Sequence, residues 1–216
     1  MSDKDLHCKR RALLLAMAGM LGAPALSHAA DRSLCILVMG DSLSAEYGLP
    51  RGTGWVALME ERMRKLGIKG QVVNASISGE TTSGGARRLA ALLQAHRPTH
   101  VVIELGANDA LRGLSLKGTQ DNLRAMIEAS QKVPAKVVLV GMMVPPNYGK
   151  RYADDFHKIY ATLADKHKTA LVPFFLKGVA DRPDAREWFQ ADGTHPKAEA
   201  HGTMLDNVWP VLKPLL

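Results

Sequence analysis

The chain has 216 residues, a size for one domain rather than two, since single domains commonly run to roughly 100–200 residues. With 46% hydrophobic and 23% charged residues, 19 Gly and 11 Pro, it is too apolar for a disordered segment and carries no collagen period. The formal charge of +7 hints at an acidic partner, but Lys and Arg are scattered among acids and never form a run of five, which excludes a basic nucleic-acid stripe.

The first element is a leader. Lys9-Arg10-Arg11 precede a wholly apolar or small run from Ala12 to Ala23, followed by Pro24 and Ser27-His28-Ala29-Ala30. A basic head, a short apolar stretch and a small-residue tail make a secretory signal peptide over residues 1–30, with cleavage after Ala29 or Ala30. The run is too short for a membrane span, which needs about 20 apolar residues. Arg10-Arg11 also fits a twin-arginine signal, so the export route stays open. Four of the 28 basic and two of the 21 acidic residues precede residue 31, so the remainder carries +5. A periplasmic or secreted location is expected. Cys8 falls within the leader, and Cys35 lies in the apolar run Leu34 to Val38 as a buried thiol.

From residue 33 short apolar runs alternate with segments of helical period, the pattern of parallel strands joined by crossover helices. Strands are expected at Leu34 to Met39, Val72 to Asn74, His100 to Leu105, Lys136 to Val140 and Ala170 to Val172. Their continuous apolar character suits strands covered on both faces. Between them run the stripes Val56, Met59, Met63, Leu66; Ala86, Leu89, Ala90, Leu93; Leu123, Met126, Ile127, Ser130; and Phe156, Ile159, Tyr160, Leu163. A last helix is expected from near Pro196 to before Pro210. The fold class is α/β: a three-layer α/β/α sandwich on a roughly five-stranded parallel sheet of flavodoxin-like style, occupying residues 31–216.

In such sheets ligands bind outside the carboxyl ends of the strands. Polar residues there are candidates. The first strand ends in Gly40-Asp41-Ser42-Leu43, which places a hydroxyl at a cleft or merely caps a helix. The second ends in Asn74-Ala75-Ser76-Ile77-Ser78-Gly79, where Gly79 lets a backbone N–H approach a ligand. The third ends in Gly106-Ala107-Asn108-Asp109, where the Asn108 amide can donate to an anionic oxygen or serve a turn. Before the last helix, Asp192 precedes His195 by three residues. That spacing lets a carboxylate orient an imidazole as general base; a metal pair or a helix-entry turn are the rivals. No HExxH or CxxC is present, and His157, His167 and His201 fall on expected helices, at the surface or as caps. His96 and His100 flank the third strand and read as structural.

These four blocks, in this order, resemble the GDSL or SGNH hydrolases. The resemblance is strongest to the bacterial group of multifunctional thioesterases, arylesterases and lysophospholipases, and it spans nearly the whole chain after the leader. Val72 to Gly79, Leu111-Arg112-Gly113, Asn147 to Tyr152 and Leu171 to Phe175 carry it beyond the blocks. The chain departs at Ala107, where the group usually has a second Gly, and at Glu46, where a Gly often follows the Ser-Ala pair; Glu46 is expected at the lip of the cleft.

The resemblance implies catalysis by Ser42, Asp192 and His195. It also implies an oxyanion hole formed by the backbone N–H groups of Ser42 and Gly79 with the Asn108 side chain. The expected reaction is hydrolysis of carboxylic esters and thioesters of short- to medium-chain acyl or aryl groups, including acyl-CoA and lysophospholipid, through an acyl-enzyme on Ser42. Leu111 and Tyr148, with Leu114 and Met143, are candidates to line an apolar acyl groove beside Ser42, with core or loop packing as the alternative for each. No metal or other cofactor is expected, and the partners are a small-molecule substrate, no nucleic acid, and at most transient contact with a membrane surface; the chain is expected to be a monomer. Two alternatives remain: a carbohydrate acetylesterase using the same blocks, and a non-catalytic periplasmic ligand-binding domain on the same scaffold.

Overall fold

The computed structural model describes residues 33–216; the expected leader and its expected cleavage point lie outside the described residues. Five parallel strands form one sheet: β1 (Cys35–Gly40), β2 (Gln71–Asn74), β3 (His100–Glu104), β4 (Lys136–Val140) and β5 (Ala170–Val172), in the order β2-β1-β3-β4-β5. The helices are α1 (Trp55–Lys65), α2 (Thr82–His96), α3 (Ala107–Leu111), α4 (Leu116–Lys132), α5 (Lys150–His167) and α6 (His201–Leu212). All five strands thus fall within a residue of where their apolar runs place them.

Every residue of β1 and β3 is buried, whereas the edge strands β2 and β5 are only partly covered. Continuous Val, Ile and Leu runs therefore mark the strands that have helices on both faces. Helix α1 packs with α6, and α2, α4 and α5 pack side by side, giving the two outer layers. Each fully buried aliphatic side chain in β1, β3 and β4 contributes about 1.5–3 kcal/mol on removal from water.

The helical stripes hold with local exceptions. Val56, Met59 and Met63 are buried, but Leu66, the C-cap residue beyond the last turn of α1, is exposed. Ala90 is exposed as well, while Leu89 and Leu93 carry that face. The last helix begins later than expected, at His201 after a 3-10 turn at Ala198–Ala200, and it runs through Pro210. Pro210 is exposed, so the carbonyl left without its N–H partner can turn to water. His201 is buried rather than at the surface, 2% exposed, and it serves as a cap for another helix: its Nδ1 accepts the Trp55 N–H at 3.0 Å at the start of α1. Burial pushes its imidazole down to about 4, so the ring is neutral.

The strand order reverses between β1 and β3, whose outgoing chains leave the sheet in opposite directions and open a crevice at their carboxyl ends. The residues after β1, β2 and β3 border that crevice.

Candidate active site

The chain leaves β1 at Gly40. A Cβ here would lie 2.5 Å from Ser44 Oγ and 2.8 Å from Glu104 Oε2, so glycine is required for space. The turn that follows, closed by the Ala45 N–H to Asp41 carbonyl bond at 3.0 Å, carries Ser42 into the crevice half-buried. Loops from the neighbouring strands are stitched to it. The Ile77 N–H donates to the Gly40 carbonyl at 3.1 Å, and Asn74 Nδ2 donates to the Ser44 carbonyl at 2.8 Å.

Ser42, His195 and Asp192 form one hydrogen-bonded chain. His195 Nε2 lies 2.8 Å from Ser42 Oγ, and its Nδ1 lies 2.7 Å from Asp192 Oδ2. With the ring proton on Nδ1 facing the carboxylate, Nε2 accepts from the serine hydroxyl. Asp192 Oδ1 also takes the N–H groups of Thr194 at 2.9 Å and His195 at 3.0 Å. Those two backbone bonds, and then the imidazole, lower the Asp192 carboxyl to about 2, although its side chain is 41% exposed.

Residues outside the four blocks hold the imidazole. The Tyr47 ring lies 4.4 Å from it, tilted by 39°. Gln190 gives its N–H to the His195 carbonyl at 2.7 Å, and its Nε2 reaches the carbonyls of Tyr47 at 2.9 Å and Pro196 at 3.1 Å. Sequence reasoning passed over both residues. Their only signal is position, Tyr47 five residues after Ser42 and Gln190 five before His195, and spacing alone does not say that the two segments meet.

Asn108 is the second residue of α3, which follows Gly106, whose φ of 122° belongs to glycine and whose Cβ would fall 2.4 Å from Tyr160 Oη. Asn108 Nδ2 donates to Asp41 Oδ2 at 3.0 Å, which brings the third block against the first. Gly79 sits on the loop after β2 with its carbonyl held by Arg112 Nη2 at 2.9 Å. Among the described residues, no acceptor takes the backbone N–H of Ser42 or of Gly79. The site can therefore offer two uncommitted N–H groups beside a hydroxyl hydrogen-bonded to an imidazole, donors of the kind an acyl-transfer oxyanion needs.

Leu111 and Tyr148 also meet: the Tyr148 hydroxyl donates to the Leu111 carbonyl at 3.4 Å. Tyr47, Ile77, Leu114, Met143 and Tyr148 are exposed large apolar side chains, and all five lie in the segments after the carboxyl ends of β1 to β4. Glu46 is more than a lip residue. Its φ of 58° explains why glycine suits this position, and its carboxylate offsets the strain by accepting the N–H groups of Gly52 at 3.0 Å and Gly54 at 2.8 Å. Asp109, which the sequence offered only as part of a block, is structural: it accepts from the Thr82 N–H at 2.8 Å and the Thr82 hydroxyl at 2.5 Å, fixing the start of α2. Among the described residues no group of three or more His, Cys, Asp or Glu is placed to hold a metal ion.

Residues 38–202 match the model of the GDSL-like Lipase/Acylhydrolase family. Over 206 residues the chain is 48% identical to the Esterase TesA of Pseudomonas aeruginosa, covering 95% of this chain and all of that protein. It is 39% identical to the Thioesterase 1/protease 1/lysophospholipase L1 of Escherichia coli K12, covering 84% of each. A crystal structure of TesA superposes with a TM-score of 0.81 at 50% identity, over 84% of this chain and 99% of that one.

Proposed function

Because the chain belongs to the GDSL-like lipase/acylhydrolase family and is a serine hydrolase acting on esters, we propose that Ser42 is its nucleophile, His195 its general base and acid, and Asp192 the carboxylate that orients His195. The observation that carries this reading is the continuous chain of short contacts, 2.8 Å from Ser42 Oγ to His195 Nε2 and 2.7 Å from Nδ1 to Asp192. Family membership sets aside the non-catalytic binding domain.

The chemistry follows from the geometry. Ser42 Oγ attacks the carbonyl carbon of an ester or thioester while its proton passes to His195 Nε2. The charge that gathers on the carbonyl oxygen is met by the N–H groups of Ser42 and Gly79 and by Asn108 Nδ2. Collapse of the tetrahedral intermediate expels the alcohol or thiol, which takes the proton from His195. Water, deprotonated by the same nitrogen, then attacks the acyl-enzyme, and Ser42 is regenerated as the acid leaves. Asp192 stays ionised throughout, consistent with a carboxyl lowered to about 2.

The preferred substrates are short- to medium-chain acyl or aryl esters and thioesters, acyl-CoA and lysophospholipid among them. What supports this is that exposed apolar side chains lie in the segments after the carboxyl ends of β1 to β4, where the Tyr148 hydroxyl also donates to the Leu111 carbonyl. The protein acts as a monomer after export, its leader of residues 1–30 removed. Among the described residues no helix is long and apolar enough to cross a membrane.

Labelling the folded protein with a fluorophosphonate and locating the adduct by mass spectrometry tests the assignment. The adduct is expected on Ser42 alone; an adduct on another residue, or none, overturns it. A chain-length series of p-nitrophenyl esters tests the substrate class, and activity confined to acetylated sugars would favour a carbohydrate acetylesterase instead.

A further inference from the structure

The loops after β1 and β2 enclose a cavity of about 410 Å³ that the chemistry above does not use, lined by Ala45, Glu46, Leu49, Arg51, Asn74 and Ser76. Its size is that of a small-molecule subsite. Several of its polar groups are already committed. Asn74 Nδ2 donates to the Ser44 carbonyl at 2.8 Å, and Asn74 Oδ1 accepts the Ser76 N–H at 3.2 Å. Glu46 turns its carboxylate to the loop before α1, where it accepts the N–H groups of Gly52 and Gly54.

Two groups are left over. Ser76 Oγ is buried and, among the described residues, has no hydrogen-bond partner. Arg51 is exposed, and among the described residues no carboxylate, carbonyl or ring pairs with its guanidinium. A guanidinium can only donate, and a buried hydroxyl costs free energy until it finds a partner. Together they call for a ligand group rich in acceptors and negative in charge, and a phosphate matches the planar donor fork of arginine. The Ser76 hydroxyl meets such an oxygen by turning about χ1.

Position says which part of a substrate carries that group. Ala45 is three residues after Ser42 and Ser76 is three before Gly79, spans of at most about 11 Å. The sheet order places this cavity on the β2 side of Ser42, whereas Leu111, Leu114, Met143 and Tyr148 follow β3 and β4 on the other side. With the acyl chain among those apolar residues, the leaving alcohol falls on the β2 side. In a lysophospholipid the phosphorus is five bonds from the ester oxygen, roughly 6 Å, which fits within that span. In an acyl-CoA the phosphates stand much farther off, beyond the pantetheine arm.

We propose that Arg51 and Ser76 form a subsite for the phosphate of the leaving alcohol, which makes lysophospholipids preferred over neutral esters of the same acyl chain. The proposal rests on Ser42 being the nucleophile.

The test compares kcat/KM for 1-octanoyl-lysophosphatidylglycerol and for 1-octanoylglycerol, the same ester without its phosphate. Both are kept below their critical micelle concentrations, so that no lipid surface contributes. The native protein should prefer the lysophospholipid, and raising NaCl from about 0.05 to about 0.5 M should narrow the preference. Arg51→Gln should lower kcat/KM for the lysophospholipid about 10-fold, mostly through KM, and for the neutral ester by less than about 2-fold. Arg51→Lys should recover part of that loss, and Ser76→Ala should cost about 3-fold with the same selectivity. An equal loss on both substrates, no loss on the lysophospholipid, or a native protein without the preference overturns the subsite. Failure of the fluorophosphonate to label Ser42 overturns the nucleophile reading instead, so the two failures are distinguishable.

Discussion

Two aspartates flank Ser42, the proposed nucleophile, and the protein drives them in opposite directions. Asp41 lies in the turn that carries Ser42 with 1% exposure, and burial raises its carboxyl from 3.8 to about 6. Asp192 stands on an open loop, and two backbone N–H groups lower its carboxyl from 3.8 to about 2. The difference shows that burial and hydrogen bonding are separate controls on one chemical group. Asp192 is kept ionised by donors while water has access, which suits a group that must steady an imidazolium. Asp41 is enclosed by the core, which raises its carboxyl, while the Leu43 N–H and Asn108 Nδ2 each donate to it at 3.0 Å.

The comparison can be broken at several points. The largest effect is expected from Ser42→Ala, which should lower kcat by about 10⁴-fold or more with the fold intact by circular dichroism. Asp192→Asn should cost about 100- to 1000-fold, less than loss of a buried triad carboxylate, because water can reach the exposed loop and serve the imidazole in part. Asn108→Ala should cost a similar 100- to 1000-fold, confined to kcat, as expected for the loss of one oxyanion donor. Either variant with native kcat would remove that residue from the chemistry.

Stability against pH sharpens the contrast. A carboxyl raised in the folded state binds its proton more tightly there than in the unfolded chain. The native protein should therefore lose stability relative to Asp41→Asn as pH rises from about 3.8 to about 6. Asp192 has the opposite sign: its stabilisation is present above 3.8 and is lost as pH falls toward about 2, so over that window the native protein gains on Asp192→Asn with rising pH. Urea titrations of the three proteins across pH 2–7 read both slopes, and slopes of equal sign would contradict the contrast. The smallest effect is expected from Gln190→Ala, about 1–2 kcal/mol of stability and less than about 10-fold in kcat, since it removes two side-chain hydrogen bonds that tie the His195 loop to Tyr47 and Pro196.

Much of the fold was legible along the chain. Val101-Val102-Ile103 and Val137-Val138-Leu139-Val140 announce buried parallel strands because each side chain has a helix over it. The stripe Phe156, Ile159, Tyr160, Leu163 announces a helix for the same reason, and all four are buried. The candidate site was legible as four blocks, since polar residues just past apolar strands have one place to go. Periodicity could not reveal that Leu66 ends outside the core, that Pro210 lies within α6, or that His201 is buried under the start of α1. Each depends on what another segment, distant in sequence, places beside it.

The sequence by itself determined the strand order's raw material, the family, and the residues available for chemistry, because local apolar pattern and short motifs are written residue by residue. Only the tertiary structure decided how those residues act on one another. Ser42 and His195 are 153 positions apart and 2.8 Å apart in space. Asp41 and Asn108 are 67 apart in sequence and share one hydrogen bond. The direction in which each aspartate's carboxyl is pushed depends on burial and on donors from other elements, and these exist only once the chain has closed around it.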